Sequence, residues 1–272
     1  MNRLDARFAQ LQAARRKALI PFVTAGDPSP DAMVPLLHAL VEAGADLIEL
    51  GVPFSDPMAD GPVIQHANER ALARGIGLTQ IFNWIGEFRQ TDAQTPIVLM
   101  GYLNPVEIYG YARFAHDAVA AGVDGVLLVD CPLEEAQTAQ ALDAAGLRRI
   151  FLSAPTTSAA RLAALCEAAR GFLYHVAFAG ITGANRLSLG AVRERVAAIK
   201  ARTPIPVAVG FGVRDAASAA AIAQFADAVV IGSALVETLA GAHTPDAACM
   251  AAREFLAPIR AALDAGARAH AA

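Results

Sequence analysis

Several acidic residues in the stretch DLIELGVPFSDPMADGPVIQ have the spacing that general acid/base chemistry needs. Glu49 interrupts the apolar run Leu47–Leu50, which reads as a buried strand. Asp56 and Asp60 follow in a segment rich in proline, glycine and serine, which is too rich in turn formers to be a strand or a helix. One acid held on a strand beside further acids on a mobile loop is an arrangement suited to proton transfer.

Each acid also has a structural interpretation. Side chains alternate between the two faces of a strand, so Glu49 shares a face with Leu47. An ionised acid buried there without partners costs several kcal/mol, and backbone donors could instead satisfy Glu49 as a structural residue. Asp60 could cap a helix that begins near Pro62. These local patterns leave both alternatives open.

Strand and helix patterns alternate along the whole chain and indicate the elements that position these acids. About eight such units without a break in composition predict a (β/α)8 TIM barrel formed by one domain, residues 1–272. An open doubly wound sheet is the alternative, but it usually has fewer units or a second domain. The predicted strands after the one containing Phe22 are Leu47–Leu50, Pro96–Met100, Gly125–Val129, Arg149–Leu152, Phe172–Val176, Pro206–Val209 and Ala228–Ile231.

Additional segments flank the predicted barrel. Leu4, Phe8 and Leu11 form one apolar stripe, which predicts an amphipathic helix within residues 1–16 that closes the bottom of the barrel. A short extra helix, Ala234–Leu239, is expected after the eighth strand, with Ser233 as its cap. Residues 265–272 are expected to form a frayed tail.

Composition excludes several classes of protein. The 272 residues are 55% hydrophobic with a formal net charge of -4, and no basic run suggests nucleic-acid binding. No apolar segment approaches the ~18 residues of a membrane span, and the N-terminus lacks a signal-peptide core. Cys131, Cys166 and Cys249 lack CxxC spacing, so reduced thiols in a cytoplasmic protein are expected.

The C-terminal ends of the strands, where barrel enzymes place their working residues, predict a pocket for a flat apolar group. For a single leucine or valine, ordinary barrel core is the simpler interpretation. Tyr102 and Tyr174 are less easily assigned to the core, because a buried phenol needs a hydrogen-bond partner. The residues at these ends, besides Glu49, are Phe22, Met100, Tyr102, Leu127, Val129, Tyr174 and Phe211.

Three glycine-bearing turns follow the last three predicted strands: Gly180–Gly183, Gly210–Gly212 and Ile231–Ala234. Glycine lets backbone N–H groups approach an anion closely, and a helix N-terminus favours negative charge. Barrels commonly bind phosphate at this position, so we expect a phosphate site held mainly by backbone groups.

The residue types also limit the chemistry of carbon–carbon cleavage, which needs an electron sink. Lys17 and Lys200 are the only lysines, and neither should reach the barrel mouth to form a Schiff base. The six histidines lack metal-ligand spacing, and His175 should face away from Tyr174, toward the helices. A substrate that supplies its own sink would fit this residue set.

Three motifs of the chain stand out: the run from IELG through PFSDP and ADGP to IQ, the segment MGYLNP at Met100–Pro105, and the pair Tyr109-Gly110. Together they closely resemble the tryptophan synthase alpha chain family. The resemblance covers nearly the whole chain and implies retro-aldol cleavage of indole-3-glycerol phosphate to indole and glyceraldehyde 3-phosphate. It implies that Glu49 is the general acid/base and that Asp60 binds the indole N–H.

The resemblance also implies binding residues and a partner. Substrate would contact Phe22, Met100, Tyr102, Leu127, Val129, Tyr174, Thr182 and Phe211, and phosphate would contact Gly183, Gly212, Gly232 and Ser233. A beta subunit that carries pyridoxal phosphate would dock at Pro53, Asp56 and Asn104 in an alpha2beta2 assembly. The alpha chain itself would need no metal or cofactor.

Alternatives to this function remain open. The chain could be a stand-alone lyase that releases free indole, another phosphate-handling barrel such as a sugar-phosphate isomerase, or a binding module without activity. The run His175–Gly183 and Cys131 depart from the commonest family pattern. The first departure concerns the loop after the sixth predicted strand, and neither changes the acids.

Overall fold

The computed structural model describes the backbone of residues 2–176, 189–210 and 212–269, and their side chains except those of 136–139 and 267–269. Except for the two-residue Arg148–Arg149, the strands within these residues coincide with apolar runs of the sequence, because both faces of a parallel barrel strand are covered. They are β1 (Ala18–Thr24), β2 (Ile48–Gly51), β3 (Ile97–Gly101), β4 (Gly125–Leu128), β5 (Arg148–Arg149), β6 (Phe151–Ser153), β7 (Leu173–Val176), β8 (Val207–Gly210) and β9 (Ala228–Ile231).

These strands form one parallel sheet in the order β5-β4-β3-β2-β1-β9-β8-β7-β6. Its two outer strands, β5 and β6, are separated in sequence only by Ile150, whose N–H donates to the carbonyl of Val126 at 2.9 Å. They are therefore two parts of the fifth barrel strand, and the sheet is a nearly closed ring. The predicted TIM barrel is confirmed, and the open doubly wound alternative is excluded.

Helices alternate with the strands around the ring. Pro30–Ala32 forms a short 3-10 helix before the second α-helix. The α-helices are α1 (Arg3–Ala13), α2 (Met33–Glu42), α3 (Pro62–Ala73), α4 (Leu78–Phe88), α5 (Leu103–Tyr109), α6 (Tyr111–Ala121), α7 (Ala136–Ala144), α8 (Ala159–Ala168), α9 (Leu189–Lys200), α10 (Ala216–Ala223), α11 (Ser233–Ala240) and α12 (Pro245–Ala269).

The barrel core has an inner and an outer layer. The inner layer includes Leu47, Val98 and Leu127, and α1 contributes Leu4, Phe8 and Leu11 to the same cluster. The outer layer lies between the sheet and the helices. The first helix therefore closes the bottom of the barrel, as its apolar stripe predicts.

Two segments differ from the sequence-based expectation. Asn104, expected in a loop, lies in α5, since the chain forms a helical turn directly after β3. Helix α12 continues through Ala269, within the segment that was expected to form a frayed tail. Among the described residues, no helix combines the length and the hydropathy needed to cross a membrane.

Candidate active site

Glu49 lies inside the barrel, on the same face of the strand as Leu47. Parallel pairing places it in register with Phe22 of β1 and Val98 of β3. Its side chain is 1% exposed, and Oε1 has no hydrogen-bond partner among the described residues. Within the described part of the chain, no backbone donor therefore satisfies this oxygen. Burial, followed by the nearby charge of Asp60, raises the pKa of Glu49 to about 8.

Asp60 lies in the loop between β2 and α3, at the mouth of the barrel. Helix α3 begins at Pro62 with Gly61 as its N-cap and has no side-chain cap. The alternative in which Asp60 caps this helix is therefore wrong. Burial raises the pKa of Asp60 to about 6, and a hydrogen bond with Tyr102 opposes this rise.

The two acids differ in protonation because their surroundings differ. With pKa values of about 8 and about 6, Glu49 retains its proton near neutral pH while most Asp60 is ionised. Since the charge of Asp60 contributes to the pKa of Glu49, the pair titrates as a coupled unit. The site thus combines a proton donor with a fixed negative charge.

Tyr174 projects from β7 toward these acids. Its pKa is raised well above its usual range, first by burial and then by the charges of Glu49 and Asp60. Gly210 at the end of β8 makes room for the phenol, since a Cβ there would lie 2.2 Å from Oη. The first glycine of the turn Gly210–Gly212 therefore accommodates an aromatic ring, which the sequence-based analysis did not anticipate.

Apolar side chains surround the acids. Met100, Val129 and Tyr174 pack on the inner core, to which Leu127 belongs. Phe22 forms a smaller cluster with Ile64, Ala67 and Val236. Leu152, which pairs with Tyr174 in the sheet and packs on the same inner core, was missed. The alternation of β6 could have identified it, since Leu152 is two residues from Ile150 in the same inner cluster.

Tyr102 is bound to the loop that carries Asp60. Its side chain is 3% exposed, and its Oη accepts a hydrogen bond from the N–H of Ala59 at 3.0 Å. The ring of Phe54 lies 5.2 Å away, measured between centroids. The phenol thus has the partner that burial requires, and that partner is the acid-bearing loop.

Two of the three turns expected to bind phosphate, Gly210–Gly212 and Ile231–Ala234, contribute to the lining of a cavity of about 720 Å³ next to Tyr174. Its wall includes Gly212, Gly232 and Ser233. The φ angle of Gly212 is 48°. The expected capping by Ser233 is wrong: Gly232 is the N-cap, Ser233 is the first helical residue, and no side chain caps α11. The other residues proposed for substrate and phosphate, Thr182, Gly183 and Phe211, lie outside the described residues.

Both lysines lie at the opposite end of the barrel, beside Asp227, which precedes β9. The Nζ atoms of Lys17 and Lys200 are 4.0 Å and 2.7 Å from its carboxylate. They line a separate cavity of about 510 Å³ beneath α1. The expectation that neither lysine reaches the mouth is confirmed.

His175 is fully buried on the face of β7 opposite Tyr174. Its Nδ1 lies 3.0 Å from the hydroxyl of Ser153, while burial and the charge of Arg195 lower its pKa to about 4. It therefore faces the helices, as expected. Within the part of the chain that the structure describes, no group of three potential ligands is arranged to hold a metal ion.

The residues predicted to contact a partner differ in exposure. Asp56 and Asn104 are exposed, whereas Pro53 is buried. Two apolar side chains on the same rim are also exposed, Met58 at 65% and Ile108 at 80%. This rim therefore combines exposed polar and apolar groups beside the acid-bearing loop.

Comparison with known proteins identifies the family. Residues 8–263 match the model of the tryptophan synthase alpha chain family. The alpha chain of Xylella fastidiosa strain M12 is 61% identical over 266 residues, covering 97% of this chain and 99% of that protein. The alpha chain of Laribacter hongkongensis is 59% identical over 268 residues, covering 97% and 100%.

Solved structures agree with the sequence relatives. The alpha subunit from Legionella pneumophila str. Paris has a TM-score of 0.90 and 44% identity, covering 97% of this chain and 99% of that one. A chain of tryptophan synthase from M. tuberculosis has a TM-score of 0.85 and 39% identity, covering 97% and 99%. With Glu49 buried inside the barrel, Asp60 in the loop at its mouth, and these matches over nearly the whole length, the chain belongs to the tryptophan synthase alpha chain family.

Proposed function

We propose that this protein cleaves indole-3-glycerol phosphate to indole and glyceraldehyde 3-phosphate as the alpha subunit of a tryptophan synthase. One observation carries the proposal: the buried Glu49, with its pKa raised to about 8, and Asp60, with its pKa raised to about 6, share an apolar barrel mouth with a glycine-lined cavity. Family membership supports the same assignment.

The proposed reaction begins at C3 of the indole ring. The protonated carboxyl of Glu49 donates its proton to C3, and the positive charge that develops on the indole nitrogen is stabilised by the carboxylate of Asp60. The indoleninium then accepts the electron pair of the breaking bond between C3 and the glycerol carbon. The Glu49 carboxylate takes the hydroxyl proton as the aldehyde forms.

The remaining residues bind and orient the substrate. Phe22, Met100, Leu127 and Val129 would contact the indole ring, and Tyr174 would position substrate or Glu49 from the opposite wall. Gly212, Gly232 and Ser233 would bind phosphate through backbone N–H groups, together with Gly183. The roles of Thr182 and Phe211 as substrate contacts are carried over from the family resemblance.

The assembly we propose is a cytoplasmic alpha2beta2 complex, in which the beta subunit carries pyridoxal phosphate and receives indole directly. The exposed rim formed by Asp56, Met58, Asn104 and Ile108 supports this arrangement, because exposed apolar side chains beside polar ones suit a protein interface. Pro53 would act there indirectly, by supporting the loop.

The experiment that tests the chemistry is an assay of indole release from indole-3-glycerol phosphate. We expect Glu49→Gln and Asp60→Asn to lose at least the ~10²–10⁴-fold that acid/base groups contribute, with the barrel still folded by circular dichroism. Asp56→Asn is the matched control and should retain most intrinsic activity. Near-normal turnover in Glu49→Gln would refute the assignment. If indole release is fast without any beta subunit and does not change when one is added, the alternative of a stand-alone lyase is correct.

A further inference from the structure

Asp60 is held by its backbone as well as by its side chain. Its carbonyl accepts a hydrogen bond from Nε2 of Gln65 at 2.8 Å, and its N–H donates to the carbonyl of Pro57 at 3.0 Å. Gln65 lies in the first turns of α3, directly after the loop that carries Asp60. Both backbone groups of Asp60 are therefore fixed, and one of the two contacts comes from the adjacent helix.

Tyr102 holds the same loop from the other side. Its hydroxyl accepts the N–H of Ala59, the residue before Asp60, at 3.0 Å. Gln65 contacts the carbonyl of Asp60, while Tyr102 contacts the N–H of the preceding residue, Ala59. The backbone is therefore held on both sides of the Asp60 side chain.

Helix α3 provides a fixed base for Gln65. Arg70, on the same helix, forms two hydrogen bonds of 2.7 Å and 2.8 Å with Asp27, which is only 3% exposed. Ile64 and Ala67 pack with Phe22 and with Val236 of α11. A side chain on a helix anchored in this way can place a loop more accurately than one that is itself on a loop.

We propose that Gln65 is a positioning residue that acts through Asp60, holding its backbone so that the carboxylate reaches the indole nitrogen. The inference rests on the proposed function. Without the Gln65 donor, the carbonyl of Asp60 loses its contact with α3 and the carboxylate can shift. A displacement of ~1 Å at a catalytic group can cost ~10²-fold in rate.

The test compares Gln65→Met with His66→Met. Methionine keeps the length of glutamine but removes the donor. His66 is the exposed neighbour on the same helix, and its Nδ1 lies 3.1 Å from the carboxylate of Glu69. We expect kcat to fall by ~10–100-fold in Gln65→Met, with KM for indole-3-glycerol phosphate and inhibition by inorganic phosphate changed less than ~2-fold, because α11 and the turn before it remain intact. His66→Met should match the parent.

A double variant separates positioning from general destabilisation. If Gln65 acts through Asp60, Gln65→Met should cause little further loss of kcat in an Asp60→Asn background. An additive loss there, or a raised KM with unchanged kcat in the single variant, would overturn the proposal. A kcat of Gln65→Met within ~2-fold of His66→Met would overturn it as well.

Gln65→Glu provides a second measurement if the methionine variant folds poorly. It replaces the donor by an acceptor facing the Asp60 carbonyl and adds a negative charge near Asp60. We expect a lower kcat, and we expect the acid limb of the pH profile of kcat/KM to move to higher pH. An unchanged pH profile would contradict the proposal. If Glu49→Gln and Asp60→Asn are themselves active, the proposed function fails. If they are inactive while Gln65→Met is normal, only this inference fails.

Discussion

Glu49 and Asp60 are both carboxylic acids, and it is their surroundings that give them different proposed roles. Glu49 is enclosed by the barrel wall and has an unpartnered oxygen, so burial keeps it protonated. Asp60 is less buried and hydrogen-bonds with Tyr102, so its pKa rises less. Two acids whose pKa values are separated in this way can act as proton donor and as fixed negative charge in one site.

The difference between the pKa values of Glu49 and Asp60 predicts the pH dependence of the reaction. Activity needs Asp60 ionised and Glu49 protonated, so kcat/KM should rise with pH through about 6 and fall through about 8. In Asp60→Asn the charge that raises the pKa of Glu49 is removed, so the alkaline limb should move to lower pH. Steady-state indole release across this pH range measures both limbs. If kcat/KM keeps rising above about pH 8, the role of Glu49 as proton donor is contradicted.

Gly210 gives a second prediction at the scale of one residue. In Gly210→Ala the new Cβ would overlap Tyr174 Oη and lie 2.8 Å from Cζ, so the phenol must leave its present position. We expect kcat to fall by ~10-fold or more as the site loses its geometry, at a smaller cost in thermal stability. Gly86→Ala is the control, because a Cβ there meets nothing within 4 Å. Equal kcat in the two variants would show that the position of Tyr174 is unimportant.

At the scale of elements, α11 and the turn before it form the part of the mouth suited to an anion. Among the residues that the structure describes, no side chain caps α11, so the first N–H groups of the helix have no side-chain acceptor there. The turn places Gly232 beside Phe22, whose nearest atoms would be 3.8 Å from an added Cβ. The same short segment thus joins the apolar wall to the proposed phosphate site.

Gly232→Ala tests the phosphate site without disturbing the protein. The Cβ has room against Phe22, and the backbone lies outside the positive-φ region, so the fold should tolerate alanine. The methyl group would crowd a bound phosphate, so we expect KM to rise by ~10-fold with a smaller change in kcat. Gly241→Ala, at the other end of α11, is the control and should match the parent. An unchanged KM, with unchanged inhibition by inorganic phosphate, would place the phosphate site elsewhere.

At the scale of the whole molecule, the two ends of the barrel differ in character. One end is closed by α1 and contains both lysines beside Asp227. The other end contains the acids, the glycine-lined cavity and the rim of exposed side chains. Loops on this rim can contact substrate and another protein at once, so binding of a partner can favour the arrangement in which Asp60 reaches the indole. The shift is limited by the partner's differential affinity for the two arrangements.

We expect the isolated chain to be a weak lyase that a beta subunit activates mainly through kcat, by ~5–150-fold for a coupling of ~1–3 kcal/mol. Ile108→Glu, Asp56→Ala or Asn104→Ala should reduce this activation and largely spare the basal rate. Met250→Glu on α12, at a side chain that is 57% exposed, is the control. Titration of purified beta subunit into the indole assay measures the effect. Full activation of Ile108→Glu would exclude the rim as the docking surface.

The sequence by itself determined the barrel, the helix that closes its base, the inward face of Glu49 and the absence of lysine from the mouth. These follow from local periodicity and strand order, which short-range patterns encode. It could not decide whether Asp60 caps α3, whether Ser233 caps α11, or why Gly210 is a glycine. Those answers depend on side chains far apart in sequence: Tyr102 binds the loop that carries Asp60, and Tyr174 occupies the space beside Gly210. The pKa separation of the acids likewise needed the tertiary structure, because burial and the distance between charges exist only once the barrel has closed.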